Sequence, residues 1–178
     1  RDHRVGGGQV LPGAVYIEAA LEAAQCMYGD SDIVSVDEVK FERALYWLEN
    51  ERRTVQLSID GNTHGFVVAS RILDDENDRW EQHCTGKLCF SRGDAVRLDP
   101  LSAVLARCIR KEDGIECYER LYRIGLEYGL RFQGIVEALH GDGEVLTRLV
   151  LPSPADEQLH DHVMHPVLLD LCLQTIAV

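Results

Sequence analysis

The sequence predicts an α+β fold made of two units of similar plan. Three observations carry this: an apolar helical pattern after Pro12, a run of β-type segments from Ile33 to Ser91, and a weaker echo of helix and strands after Ile115. The two halves share a plan without repeating at the level of residue identity.

In PGAVYIEAALEAAQCMYG, Pro12 suits a first helical turn, Val15, Ala19 and Ala23 fall at helical spacing beside Ile17, Leu21 and Ala24, and Gly29 stops the helix. The segments IVSVDEVKFERALYW, RTVQLSID, GFVVASRILD and WEQHCTGKLCF then read as an antiparallel meander, turning at Asp60-Gly61-Asn62 and across Asp74 to Asp78. SRGDAVRLDPLSAVLARCIRKEDG reads as a connection, with LSAVLARCI as a short amphipathic helix inside it. Beyond it, IECYERLYRIG reads as a short helix, FQGIVEALHGDGEVLTRLVLP as a hairpin turning at Gly141-Asp142-Gly143, and HPVLLDLCLQTIAV as an apolar helix. The boundaries follow: residues 1–92, a connecting segment 93–114, and residues 115–178.

Composition narrows the function. The 178 residues are 46% hydrophobic, enough for a sizeable core, and exclude disorder and collagen-like structure. A formal net charge of −12 argues against nucleic acid and anionic membranes as partners. No apolar run reaches the roughly 20 residues of a membrane span, and six scattered cysteines without a CxxC pair read as reduced thiols, which predicts a cytoplasmic protein. The chain opens directly on RDHRVGGGQV and closes within LLDLCLQTIAV, so it reads as a piece of something longer.

Two places hold residues suited to chemistry. His3 precedes Gly6, Gly7 and Gly8, and Pro12-Gly13 begins a helix whose first N–H groups lack intrahelical partners, so a base would lie near donors suited to a developing oxyanion. Asp170 lies within an apolar helix beside Leu168, Leu169, Leu171 and Leu173, with Gln174 one turn on where its amide can orient the carboxyl group. Shielding from water favours the neutral form of a carboxyl group, the form a general acid uses.

These segments resemble one family. HRVGGGQVLP fits the HxxxGxxxxP motif of dehydratase domains of modular polyketide synthases and animal-type fatty acid synthases, with His3, Gly7 and Pro12 in register. GLEYGLRFQG is similar to their GYxYGPxFQG segment, keeping Gly125, Tyr128, Gly129, Phe132, Gln133 and Gly134, while Leu126 and Leu130 replace its tyrosine and proline. HPVLLDLCLQ resembles their HPxxLDxxxQ segment, with Asp170 and Gln174 in the DxxxQ/H positions.

The resemblance implies a double hotdog, two antiparallel sheets each wrapped around a long helix, truncated here at both ends. It implies elimination of water from a 3-hydroxyacyl thioester carried on the phosphopantetheine arm of an acyl carrier protein, with no metal or redox cofactor. His3 would remove the C2 proton, Asp170 would protonate the departing hydroxyl, and Gly13 N–H would bind the thioester oxygen. Gln174 would orient Asp170, and Tyr128, Phe132, Gly7 and Pro12 would shape the substrate site. The partners implied are the carrier protein, neighbouring synthase domains and a second copy in a homodimer. Arg43, Arg52, Arg53, Arg71 and Arg131 are candidates for meeting the carrier's acidic face. The same acid and base would serve an isomerase, a cyclase or a product-template domain, and a non-catalytic structural module of a megasynthase is the reading from a different class.

Other chemistries fit less well. His160, His162 and His165 lack HExxH spacing and a partnering cysteine pair, the cysteines sit in no activated context, and Asp74 to Asp78 lacks the glycine and terminal glutamate of an EF-hand loop.

Overall fold

A computed structural model describes residues 2–29, 35–49, 51–73, 79–90, 98–153, 155 and 159–178. In chain order the elements are β1 (His3–Val5), β2 (Gly8–Gln9), α1 (Gly13–Tyr28), β3 (Ser35–Phe41), β4 (Arg53–Ile59), β5 (Gly65–Ile72), β6 (Glu81–Cys89), α2 (Leu101–Arg107), β7 (Arg110–Asp113), α3 (Gly114–Arg123), β8 (Leu126–Tyr128), β9 (Ile135–His140), β10 (Val145–Leu149) and α4 (Pro166–Ala177). The start of the first β segment at Ile33, the Asp74 to Asp78 turn and all of SRGDAVR lie outside the described residues.

The chain forms two compact units that are discontinuous in sequence: Arg1–Gln9, Asp94–Asp161 and Val167–Val178 in one, Val10–Gly93 and His162–Pro166 in the other. In the latter, α1 carries a face of small residues, with Ala14, Ala20 and Ala24 fully buried, so the helix packs closely against its sheet. Tyr16, Phe66, Val68, Cys84 and Leu88 complete that core. β5 shows why: its side chains alternate, and Phe66, Val68 and Ser70 all point inward. Ser70 brings a polar group into the core, satisfied by Nε2 of buried His83 at 2.7 Å and by Arg53 at 3.0 Å.

The sheet is antiparallel with strand order β3-β6-β5-β4, which corrects the simple meander expected from the sequence. β4, β5 and β6 do follow one another, but β3 pairs with β6. The reason lies in ERALYW, read as strand: the chain leaves the ladder after Phe41, buries Leu45, and bridges Tyr46 to Val10 before β4 begins. This long excursion frees β3 from a hairpin partnership with β4.

The unit that contains both termini has a three-stranded antiparallel sheet, β10-β9-β7, and a small sheet, β2-β1-β8. The β9–β10 hairpin turns where the sequence indicates, with Gly143 at φ 69°. β7 comes from residues read as a connection and pairs with β9 from Arg110↔His140 to Asp113↔Glu137. Its last residue, Asp113, caps α3: its carboxylate accepts the Glu116 N–H while the Glu116 carboxylate accepts the Asp113 N–H. Cys117 and Leu121 form the inner face of α3, with Cys117 against Ile135 and Ala138 of β9.

Candidate active site

β1 and β8 bring the first candidate side chains together. Gly6 and Gly7, at φ 56° and 80°, form the tight β1–β2 turn, in which both central residues need the left-handed region. Gly6 N–H donates to Gly125 O at 2.8 Å, and the Gly7 carbonyl accepts from Arg4. The glycines thus fix the path of β1. β1 then lies antiparallel to β8 with His3 opposite Tyr128.

From there the site builds inward. The His3 ring meets Tyr128 and Phe132 edge-on, at centroid separations of 5.3 and 5.5 Å. Its Nδ1 is buried without a hydrogen-bond partner among the described residues, so these ring contacts orient the imidazole. His3 Nε2 lies 3.5 Å from Asp170 Oδ1, and the two side chains are only 12% and 6% exposed.

Asp170 reaches this position because α4 buries the face bearing Asp170, Leu171 and Gln174. The helix sits close to Gly134, where a Cβ would fall 2.4 Å from Leu171 Cδ1 and from Val150 O. Gln174, 2% exposed, donates through Nε2 to Asp170 Oδ2 at 2.9 Å and to Phe132 O at 3.1 Å. Burial, then the charge of Asp170 and neighbouring Tyr118, pushes the Tyr128 hydroxyl above its ordinary value, so it stays a proton donor at neutral pH.

His3, Tyr128, Phe132, Asp170 and Gln174 therefore converge within one unit. Gly7 belongs to the same unit, in the turn. Pro12 and Gly13 open α1 in the second unit, where a Cβ on Gly13 would fall 2.6 Å from the Phe41 ring. Tyr118 is the residue that sequence reasoning missed: its hydroxyl contacts Gln174 Oε1 at 3.1 Å, yet α3 reads only as an amphipathic helix. A groove of about 960 Å³ in this unit is lined by Tyr118 and Tyr128 along with Arg4, Ile115, Tyr122 and Gln133; His3 and Asp170 do not line it.

Two comparisons with family models match this chain: residues 1–71 fit the polyketide synthase dehydratase domain, and residues 98–178 the polyketide synthase dehydratase N-terminal domain. The chain belongs to the polyketide synthase dehydratase family. Its relatives include a mycocerosic acid synthase-like polyketide synthase of Mycobacterium tuberculosis, 31% identical over 99% of this chain and 8% of that protein. Polyketide synthase PksM of Bacillus subtilis is 27% identical over 95% of this chain and 4% of its own length. Both relatives are thus far longer than the dehydratase region they share with it.

Among solved structures, a trans-AT polyketide synthase dehydratase domain from Brevibacillus brevis superposes with a TM-score of 0.85 at 29% identity, covering 98% of this chain and 63% of that one. The dehydratase domain from the CurF module of curacin polyketide synthase gives 0.83 at 25% identity, covering 99% and 63%. The fold class of this dehydratase-family chain is therefore the α+β double hotdog, of which it spans a little over 60% of the solved chains.

The remaining expected features fall elsewhere. Arg53 is an internal ion-pairing residue, its side chain 13% exposed and joined to Glu51 and Glu81, which removes it as a docking candidate. Arg43 pairs with Glu81 at 3.1 Å, and Arg131 lies 3.8 Å from Asp2. The Arg71 guanidinium sits over the Trp80 ring. His162 meets the His165 ring edge-on at a centroid separation of 4.8 Å and lies beside Glu18 and Glu22, and among the described residues His162, Glu18 and Glu22 have ligand-type atoms within 4.8 Å of one another. Both Glu18 oxygens there accept backbone N–H groups, from Val163 at 2.9 Å and Met164 at 2.7 Å. No described helix is long and apolar enough to cross a membrane.

Proposed function

We propose that this chain carries out syn-type elimination of water from a 3-hydroxyacyl thioester held on the phosphopantetheine arm of an acyl carrier protein, giving a 2-enoyl thioester. The observation that supports this most strongly is the His3–Asp170 pair: a base and an acid 3.5 Å apart, both nearly buried. His3 Nε2 takes the proton from C2, the C2–H electron pair becomes the C2–C3 π bond, and the C3–O bond breaks as Asp170 Oδ1 gives its proton to the departing hydroxyl. One water leaves, and the enzyme is left with protonated His3 beside ionised Asp170. Passage of that proton from His3 back to Asp170 restores both groups. The aromatic surroundings of His3 keep water out, which strengthens each of these interactions. The Tyr128 hydroxyl is the donor to the leaving oxygen.

CurK dehydratase, 27% identical to this chain, lends support. Its inactive mutants include one histidine-to-phenylalanine and one aspartate-to-asparagine replacement, at positions about as far apart in sequence as His3 and Asp170. The partners of this reaction are an acyl carrier protein and the neighbouring domains of a synthase. The test is to incubate the full-length protein with a 3-hydroxyacyl carrier protein and follow loss of one water by intact-protein mass spectrometry. Water loss supports the assignment, and an unchanged mass, together with no water gain from the 2-enoyl form, overturns it.

A further inference from the structure

We infer that Tyr118 is a positioning residue that decides which oxygen of Asp170 carries the transferable proton, an inference that rests on the dehydratase reading above. The Tyr118 hydroxyl sits where three segments of one unit meet. It accepts the Ile135 N–H at 3.0 Å and directs its own proton at Gln174 Oε1, 3.1 Å away, and at Phe132 O, 3.2 Å away. With the Ile135 N–H occupying an acceptor side of the phenol oxygen, its single proton is shared between Gln174 Oε1 and Phe132 O, both of them acceptors.

That choice propagates. Gln174 presents Oε1 to Tyr118 and so presents Nε2 to Phe132 O at 3.1 Å and Asp170 Oδ2 at 2.9 Å. A reversed amide would set Oε1 against two acceptors, the Phe132 carbonyl and the carboxyl oxygen, while its N–H would face the hydroxyl already occupied by Ile135. Asp170 Oδ2 is therefore an acceptor of the Gln174 N–H. The carboxyl proton is confined to Oδ1, the oxygen that stands 3.5 Å from His3 Nε2. Acid and base thus work from the same side of the site, as syn elimination requires. Tyr118 is the one hydrogen-bond partner of Oε1 among the described residues, while Phe132 O and Asp170 Oδ2 hold the Nε2 side of the same amide.

The test measures kcat and KM of the full-length protein for a 3-hydroxyacyl carrier protein in four forms: wild type, Tyr118→Phe, Gln174→Ala and the double substitution. Loss of one hydrogen bond that orients an acid lowers kcat about tenfold in Tyr118→Phe, with KM within roughly twofold. In the Gln174→Ala background the same substitution has no further effect, because Tyr118 acts through Gln174. An unchanged kcat in Tyr118→Phe, or an equal loss in both backgrounds, overturns the inference. If Tyr118→Phe does not fold, Gln174→His and Gln174→Glu decide. Histidine can accept from Tyr118 and donate to Asp170, so it retains activity, whereas glutamate has no N–H for Oδ2 and loses it; the reverse result overturns the inference. A wild-type protein that turns over in neither direction overturns the dehydratase reading itself and this inference with it.

Discussion

His3 Nε2 and Asp170 Oδ1 stand 3.5 Å apart, although one side chain comes from the three-residue strand β1 and the other from α4 near the opposite end of the chain. The His3 ring is held edge-on by Tyr128 and Phe132, and the second Asp170 oxygen is held by Gln174. Ring contacts thus hold the imidazole and a hydrogen bond holds Asp170 Oδ2, which leaves His3 Nε2 and Asp170 Oδ1 facing each other.

Gln174→Ala removes the N–H that holds Asp170 Oδ2 and the oxygen that receives the Tyr118 proton. It leaves buried polar atoms unsatisfied and is expected to cost about 1–3 kcal/mol of stability, measured by denaturant unfolding, besides lowering turnover. A variant as stable as wild type would mean that these contacts do not hold the site together.

Gly134→Ala is expected to act at a distance from the reacting atoms. The new methyl would lie 2.4 Å from Leu171 Cδ1 and from the Val150 carbonyl oxygen, so α4 must shift and take Asp170 with it. We expect about 1–3 kcal/mol of destabilisation by overpacking, read as a lower Tm, along with reduced kcat. A Tm and kcat equal to wild type would show that α4 has more room than its packing indicates.

Glu112 sets a pH limit on stability. Burial raises its carboxyl, but the hydrogen bonds from Arg120 and from His140 Nε2, at 2.7 Å, outweigh burial and hold it below the ordinary carboxylate range. The unfolded chain, with a glutamate pKa near 4.3, takes up a proton before the folded one does. The stabilisation is then complete above about pH 4.3 and is lost as the pH falls through the folded value. Thermal melts across acid pH should show a steeper loss in wild type than in Glu112→Gln, and parallel curves would exclude this linkage.

Tyr128 predicts an absence in the rate profile. Burial, the Asp170 charge and Tyr118 all push its hydroxyl upward, so Tyr128 does not ionise as the pH is raised from neutrality to about 10, the ordinary tyrosine value. A basic limb in kcat within that window that disappears in Tyr128→Phe would contradict the assignment.

Much of the site was legible because its residues break a local pattern. Asp170 and Gln174 interrupt an otherwise apolar helix, and His3 stands before a glycine run, so both the proposed acid and the proposed base announce themselves by misfit. Tyr118 gives no such signal. In IECYERLYRIG it occupies an ordinary inward position next to Cys117, and only the return of α4 brings Gln174 to its hydroxyl. In the fold, α1, α3, α4 and the β9–β10 hairpin follow from periodicity and turn residues. β1 and β8 do not, since three-residue strands are too short to show alternation and their pairing joins segments far apart in sequence. The pairing of β3 with β6 was hidden for a related reason: strand order depends on where the excursion after Phe41 leads, which the hydrophobic pattern does not encode.

One measurement addresses both His3 as base and Asp170 as acid. The full-length wild type, His3→Ala and Asp170→Asn are each incubated with a 3-hydroxyacyl carrier protein and, separately, with its 2-enoyl counterpart, and gain or loss of one water is followed by mass spectrometry. Wild type should interconvert the two, and each substitution should slow the exchange by roughly 10²–10⁴-fold with the fold intact by circular dichroism. Wild-type rates in either folded variant would contradict the acid–base pair.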